Sequence, residues 1–219
     1  MPSSHTPSAS SRLRALAPAL VLTSGLPATG KSWFARRAAD GLGGELHQSD
    51  VLRREMYGSS AEKERRDRYD QGRYAPDAKQ KIYDALLERA RRGLEAGRSV
   101  VIDGSFVQRT WRLPFQALAR DLVVPFCCVR LVAEEDLVKR RLARRALDPS
   151  EASEANFEVY LRLKSQQESM EDLAAAQRLE LDSALFDAEL GAARAAAGLE
   201  QALGDLAERL EAQAHPSGS

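Results

Sequence analysis

The chain is poor in the features that would mark a secreted, membrane-embedded or broadly polyanion-binding protein. It has two cysteines, Cys127 and Cys128, adjacent in an apolar run. That placement excludes a disulfide framework and offers no metal-ligand spacing, so both read as reduced core residues. The histidines His5, His47 and His215 are scattered and form no cluster. With 32 basic and 32 acidic residues the formal charge is zero, which leaves no basic excess for general nucleic-acid or membrane-surface binding. Arginine outnumbers lysine 26 to 6, a compositional bias with little functional weight. No stretch reaches the roughly 18–20 apolar residues of a membrane span. The segment "RLRALAPALVLTSG" has the basic-then-apolar outline of a leader peptide. Cleavage there would destroy the clearest motif in the chain, so its apolar part reads as a buried strand and the protein as cytoplasmic.

At 219 residues the chain is long enough for one α/β domain with a substantial core and short for two. Ser/Pro/Gly-rich ends predict disorder over 1–14 and 214–219, leaving one domain over 15–213. Short apolar runs alternate with helical patterns, the sign of a parallel sheet covered on both faces. Strands are predicted at 19–23, 45–49, 99–103, 125–131 and 178–182. The strongest helix spans 77–96, with Pro76 at its start, Gly97 just beyond it, and Ala78, Ile82, Ala85, Leu86, Ala90 and Leu94 along one face. Other helices are predicted over 31–40, after Asp50, Thr110, Glu134 and Ser153, and over 192–213. Ligands of such sheets lie at the carboxyl ends of the strands.

The stretch "GLPATGKS" puts Gly25, Leu26, Pro27, Ala28, Thr29, Gly30, Lys31 and Ser32 in the pattern G-x-x-x-x-G-K-S, after a strand and before a helix. Its glycines let the backbone curl so that successive N–H groups face phosphate oxygens, and the helix N-terminus adds partial positive charge. Lys31 would reach the β- and γ-phosphates, and the Ser32 hydroxyl would ligate Mg²⁺.

Asp50 and Arg53, three residues apart after the second strand, share one helix face. Two readings stand side by side. Asp50 accepts a proton from an attacking hydroxyl while Arg53 holds that substrate; or Asp50 caps the helix and Arg53 pairs with a nearby carboxylate. Asp103 ends the third strand, where phosphate-loop proteins place a carboxylate for Mg²⁺ or substrate. Gly104 follows it, where mechanical ATPases carry a glutamate, and no Asn-Lys-x-Asp guanine pattern occurs. A motor and a GTPase switch are thereby disfavoured. Five Lys/Arg residues fall within 139–145: a solvated helix, or a lid over about 134–153 whose arginines stabilise transition-state charge. Tyr74, in the charged stretch before the long helix, is a candidate for the substrate pocket.

Together "GLPATGKSWFARRAA", "HQSDVLRREMYG", the long helix with "SVVIDGSF", and "VRLVAEEDLVKRRLARRALDPSEAS" resemble the AAA_33-type kinases of the P-loop superfamily. These are related to the kinase domain of polynucleotide kinase and, more distantly, to gluconate kinase, chloramphenicol phosphotransferase and zeta toxins. The resemblance implies a three-layer α/β/α fold with a parallel five-stranded sheet in the adenylate-kinase-like order 2-3-1-4-5. It also implies ATP with Mg²⁺ and transfer of a phosphoryl group to a hydroxyl of a small molecule. Asp50 falls at the general-base position and Arg53 at the substrate arginine. Arg141 and Arg145 fall at the lid arginines, with Arg140 and Arg144 close enough to compete. Asp103-Gly104-Ser105 departs from the more common Asp-Ala-Thr. An oligonucleotide 5′-hydroxyl kinase and a nucleotide-binding regulatory module without useful catalysis are the alternatives. Nucleic acid is the less favoured partner, and the sequence is silent on the acceptor and on oligomeric state.

Overall fold

The computed structural model describes residues 7–16, 18–57, 76–145, 157–187 and 191–214. Five parallel strands form one sheet: β1 (Leu20–Ser24), β2 (Glu45–Gln48), β3 (Val100–Asp103), β4 (Phe126–Val132) and β5 (Arg178–Asp182), in the order β2-β3-β1-β4-β5. This is the predicted order, and each strand lies within one residue of its expected bounds. The central strand β1 is buried along its whole length. That is why it reads as an unbroken apolar run rather than an alternating one.

The helices are α1 (Ala9–Arg14), α2 (Lys31–Leu42), α3 (Ser49–Tyr57), α4 (Pro76–Glu95), α5 (Arg109–Asp121), α6 (Glu135–Arg145), α7 (Phe157–Ser165) and α8 (Ala192–Ala214). One face of the sheet, through Val21, Val101, Cys127 and Val129, packs on Phe34, Ala35 and Ala38 of α2 and on Leu203, Leu206 and Leu210 of α8. The other, through Leu22, Ile102, Phe126 and Cys128, packs on Ile82, Leu86 and Ala90 of α4 and Phe115 and Leu118 of α5. Cys127 and Cys128 thus sit in opposite layers, as period-two side chains of one strand must. Burial pushes both thiols up, Cys128 to about 12. A third apolar cluster joins Leu26 and Ala28 to Val138 and Leu142 of α6 and Tyr160 and Leu163 of α7.

The expectation of disorder over 1–14 does not hold for Ala9–Arg14. α1 is helical, capped by the Ser8 hydroxyl accepting from the Ser11 N–H, with Leu13 fully buried. Its anchors are distant in sequence. Glu200 accepts from the Ala9 N–H at 2.7 Å, and Glu211 accepts from Arg12 Nη2 at 2.5 Å. At the other end, Ala214 closes α8 and so belongs to the helix, not to the expected tail. Among the described residues no helix is long and apolar enough to cross a membrane.

Candidate functional site

The site is assembled where β2, β3 and β1 end side by side. Asp103 lies opposite Gln48 on one flank and Thr23 on the other. Strand spacing of about 4.8 Å puts the ends of β2 and β1 roughly 10 Å apart, with Asp103 between them. The loop 25–30 leaves β1 on one side, and α3, bearing Asp50 and Arg53, leaves β2 on the other.

The loop after β1 turns back on itself through three left-handed residues. Gly25 has φ +133°, and a side chain there would stand 2.4 Å from the Leu131 carbonyl oxygen, so the backbone of β4 leaves room only for glycine. Gly30, φ +89°, is the residue from which α2 starts, and Ala28 holds φ +61°. The Leu26 carbonyl is the internal anchor: it accepts from Thr29 Oγ1 at 2.8 Å and from Lys31 Nζ at 2.6 Å. Lys31 therefore folds back over its own loop.

Asp103 is buried at 5% exposure, and both of its oxygens accept hydrogen bonds. Thr23 Oγ1 donates at 2.9 Å and Gln48 Nε2 at 3.0 Å, which fixes the carboxylate plane. Asp50 lies in the first turn of α3 and forms an ion pair with Arg53. The face-sharing expected from their spacing is realised, and Asp50 itself is the carboxylate that Arg53 takes. Tyr83 of α4 reaches toward this pair from beneath: its hydroxyl is 3.4 Å from Ser105 Oγ. Burial raises its phenol above the ordinary value, opposed by the Ser105 hydrogen bond and by the nearby Arg53 charge.

Among the described side chains of the basic run in α6, Arg141 meets the phosphate loop, while Arg140 and Arg144 are exposed. Arg141 Nη1 donates to the Ala28 carbonyl at 3.1 Å and to Ser183 Oγ at 2.8 Å, and its Nε donates to Asp187 Oδ2 at 3.1 Å. Helical phase explains the selection: Val138 and Leu142 are buried against the loop, and Arg141 shares their side of α6. The Arg141 guanidinium thus rests on the loop at Ala28 and on the turn after β5 at Ser183 and Asp187. Tyr74, residues 146–153 of the expected lid and the Arg145 side chain lie outside the described residues.

Several residues at the site escaped the sequence reading: Thr23, Gln48, Tyr83, Ser105, Ser183 and Asp187. Each is polar or aromatic in a segment whose pattern announces only strand, helix or turn. Register alone, with Gln48 and Thr23 as the strand-end neighbours of Asp103, offered a signal for the first two.

The donor chemistry suits a phosphate-bound Mg²⁺. Among the described residues no group of three His, Cys, Asp or Glu side chains could hold a metal unaided. One hydroxyl, Ser32, and one carboxylate, Asp103, would be a small hard-oxygen set that leaves most of an octahedron to water and phosphate.

Residues 20–173, more than half of the chain, match the family AAA_33, described as an AAA domain. Uncharacterized proteins of Mycobacterium tuberculosis and Mycobacterium bovis are each 30% identical to it over 134 residues, covering 61% of this chain and 27% of theirs. The chain thus spans about a quarter of the length of these curated relatives. Among solved structures it resembles a gluconokinase from Sinorhizobium meliloti, with TM-score 0.62 and 18% identity over 92% of this chain and 98% of that one. It also resembles Kti12 of Chaetomium thermophilum in complex with ADP-AlF3, with TM-score 0.55 and 17% identity over 85% and 98%. The likeness to these solved structures is one of fold, here a five-stranded parallel sheet in the order β2-β3-β1-β4-β5 with flanking helices. The chain belongs to the AAA_33 family.

Proposed function

We propose that the protein is an ATP-dependent kinase that transfers the γ-phosphoryl group to a hydroxyl of a small molecule. The observation that carries this reading is the order of groups across three adjacent strand ends: phosphate loop, Asp103, then Asp50 with Arg53. A donor phosphate on the loop and an acceptor hydroxyl at Asp50 would face each other across the buried carboxylate. That is an arrangement for direct transfer, in which positioning and charge stabilisation do most of the work.

Lys31 moves from the Leu26 carbonyl to the β- and γ-phosphates when nucleotide binds. Ser32 and Asp103 are the residues that would hold Mg²⁺, which supplies neutralisation of phosphate charge. Asp50 takes the proton of the acceptor hydroxyl, and Arg53, released from its resting pair, binds the acceptor. Arg141 keeps the loop in its bound shape. The kinase names of several structural neighbours, a gluconokinase and a sugar kinase among them, support the class of reaction and leave the acceptor open.

The test is ATP consumption and product formation across a panel of polyols, sugars, amino alcohols and short oligonucleotides, with Asp50→Ala and Lys31→Ala beside the unaltered protein. Asp50→Ala should keep nucleotide binding and lose transfer by about 10²–10⁴-fold, the usual worth of a general base. Full transfer by Asp50→Ala would remove Asp50 from the mechanism. Tight ATP binding with no product from any acceptor would favour a nucleotide-responsive module instead.

A further inference from the structure

The connection from β3 to α5, residues 104–108, is tied to three parts of the molecule at once. Toward the phosphate loop, the Gly25 N–H donates to the Ser105 carbonyl at 2.9 Å and Ser24 Oγ donates to the Phe106 carbonyl at 3.1 Å. Toward the segment after α7, the Glu168 N–H donates to the Val107 carbonyl at 2.9 Å, and Glu168 Oε2 accepts from the Arg109 N–H at 2.5 Å. Toward α5, Arg112 Nη1 donates to the same Phe106 carbonyl at 3.0 Å. Phe106 itself holds φ +40°, a region that bulky residues seldom enter. Its ring packs edge-on against Tyr83 and Phe115.

Among the described residues Arg112 is the largest fully buried side chain, at 0% exposure, and its ion-pair partner Asp172 is 7% exposed. Nη2 of Arg112 donates to Asp172 Oδ1 at 2.6 Å and to the Ser169 carbonyl at 2.7 Å. Burying a charge pair is no route to stability, because apolar residues of similar volume usually do as well or better. What an apolar pair cannot do is hold two main-chain carbonyls from separate segments in a planar fork. Here those carbonyls belong to Phe106, one hydrogen bond from the phosphate loop, and to Ser169 in the return from α7.

We propose that Arg112 is a positioning residue for the phosphate loop. Through the Phe106 carbonyl and Ser24 it sets the exit of β1 into the loop, and through Asp172 and Ser169 it locks that exit to the segment after α7. The proposal rests on the reading of the loop as a nucleotide site.

Three variants test it: Arg112→Met/Asp172→Leu, which removes both charges together, Asp172→Asn, and Ser24→Ala. Each is measured for thermal midpoint, for affinity toward a fluorescent ADP analogue, and for hydrogen exchange of the Gly25 amide without nucleotide. The double variant should fold, lose about ten-fold in nucleotide affinity, as for one charge-assisted hydrogen bond, and exchange the Gly25 amide faster than Leu22. Asp172→Asn leaves Arg112 on Phe106, so it should lower the midpoint while affinity and Gly25 exchange stay within about two-fold of the unaltered protein. Ser24→Ala alone should weaken affinity about three-fold, and add nothing in the double-variant background because both act on one carbonyl. Loss of affinity by Asp172→Asn in step with its midpoint, or multiplying losses from Ser24→Ala, would reduce Arg112 to a structural residue. If the double variant does not fold, Asp172→Asn decides the matter by the same criterion. The exchange measurement needs neither acceptor nor nucleotide, so failure of the kinase reading leaves this result standing.

Discussion

Replacing Arg141 by methionine is the sharpest probe of how the phosphate loop keeps its shape. The side chain is 17% exposed and spans α6, the loop at Ala28 and the turn after β5 at Ser183 and Asp187. Methionine keeps an unbranched side chain there but removes every donor. The Asp187 carboxylate, 14% exposed, loses its guanidinium partner. Breaking a fully buried pair costs about 3–5 kcal/mol, and partial exposure of both groups reduces that to roughly 2–3 kcal/mol. For a protein of this length that corresponds to a fall in melting midpoint of about 4–7 °C. A second effect falls on the loop. The Ala28 carbonyl loses the Arg141 donor while the residue still holds φ +61°, a conformation that costs a non-glycine residue about 1 kcal/mol. Relaxation of that turn should weaken nucleotide binding about ten-fold. Urea unfolding and isothermal titration with ADP measure the two effects separately. Arg141→Lys keeps the charge and loses the fork, and should fall between the two. A methionine variant within about 0.5 kcal/mol of the unaltered protein, with unchanged ADP affinity, would refute the buttress.

Two further outcomes follow from burial alone. Cys127 and Cys128 are fully enclosed and their thiols are pushed up, so neither should react with a thiol reagent at pH 8 until the protein unfolds. Labelling of both in one step, at the unfolding rate, is the expected record, and rapid labelling of the native protein would contradict the packing. Leu13→Ala should cost about 2–5 kcal/mol, the range for a buried leucine, although it lies in a Ser-rich segment. A loss below about 0.5 kcal/mol in urea unfolding would return α1 to the status of an unpacked terminus.

The fold was legible in the sequence wherever local pattern and tertiary role coincide. A parallel strand buried on both faces is an apolar run and nothing else, and the glycine-lysine-serine loop carries its own context. α4 was readable from its caps and its apolar stripe, except that Tyr83 on the same helix gives no hint of reaching Ser105. α1 was not legible, because six residues with two apolar side chains have no helical signal of their own. Their helix is stabilised by Glu200 and Glu211, which only the fold brings near. The same holds at the site. Lys31, Ser32, Asp50 and Asp103 belong to a pattern, whereas Gln48, Arg112, Ser183 and Asp187 acquire meaning only from what lies opposite. Arg141 stood between these cases: the basic run marked the helix, and only rotational phase against the loop separates Arg141 from Arg140 and Arg144.

The anchoring of α1 on α8 has a consequence in time. Arg12 and the Glu211 that holds it are separated by 199 residues. At a synthesis rate of about 5–20 residues per second, Arg12 waits on the order of 10–40 s for its partner to be made. Throughout that interval the ribosome-bound chain holds β1 and the phosphate loop while the α8 contacts of α1 are missing. Leu13 can rest on α2 in the meantime, but its enclosure is finished only when α8 packs beside it. Docking of α1 on α8 thus waits for residues made long after it, and it registers that α8 has arrived.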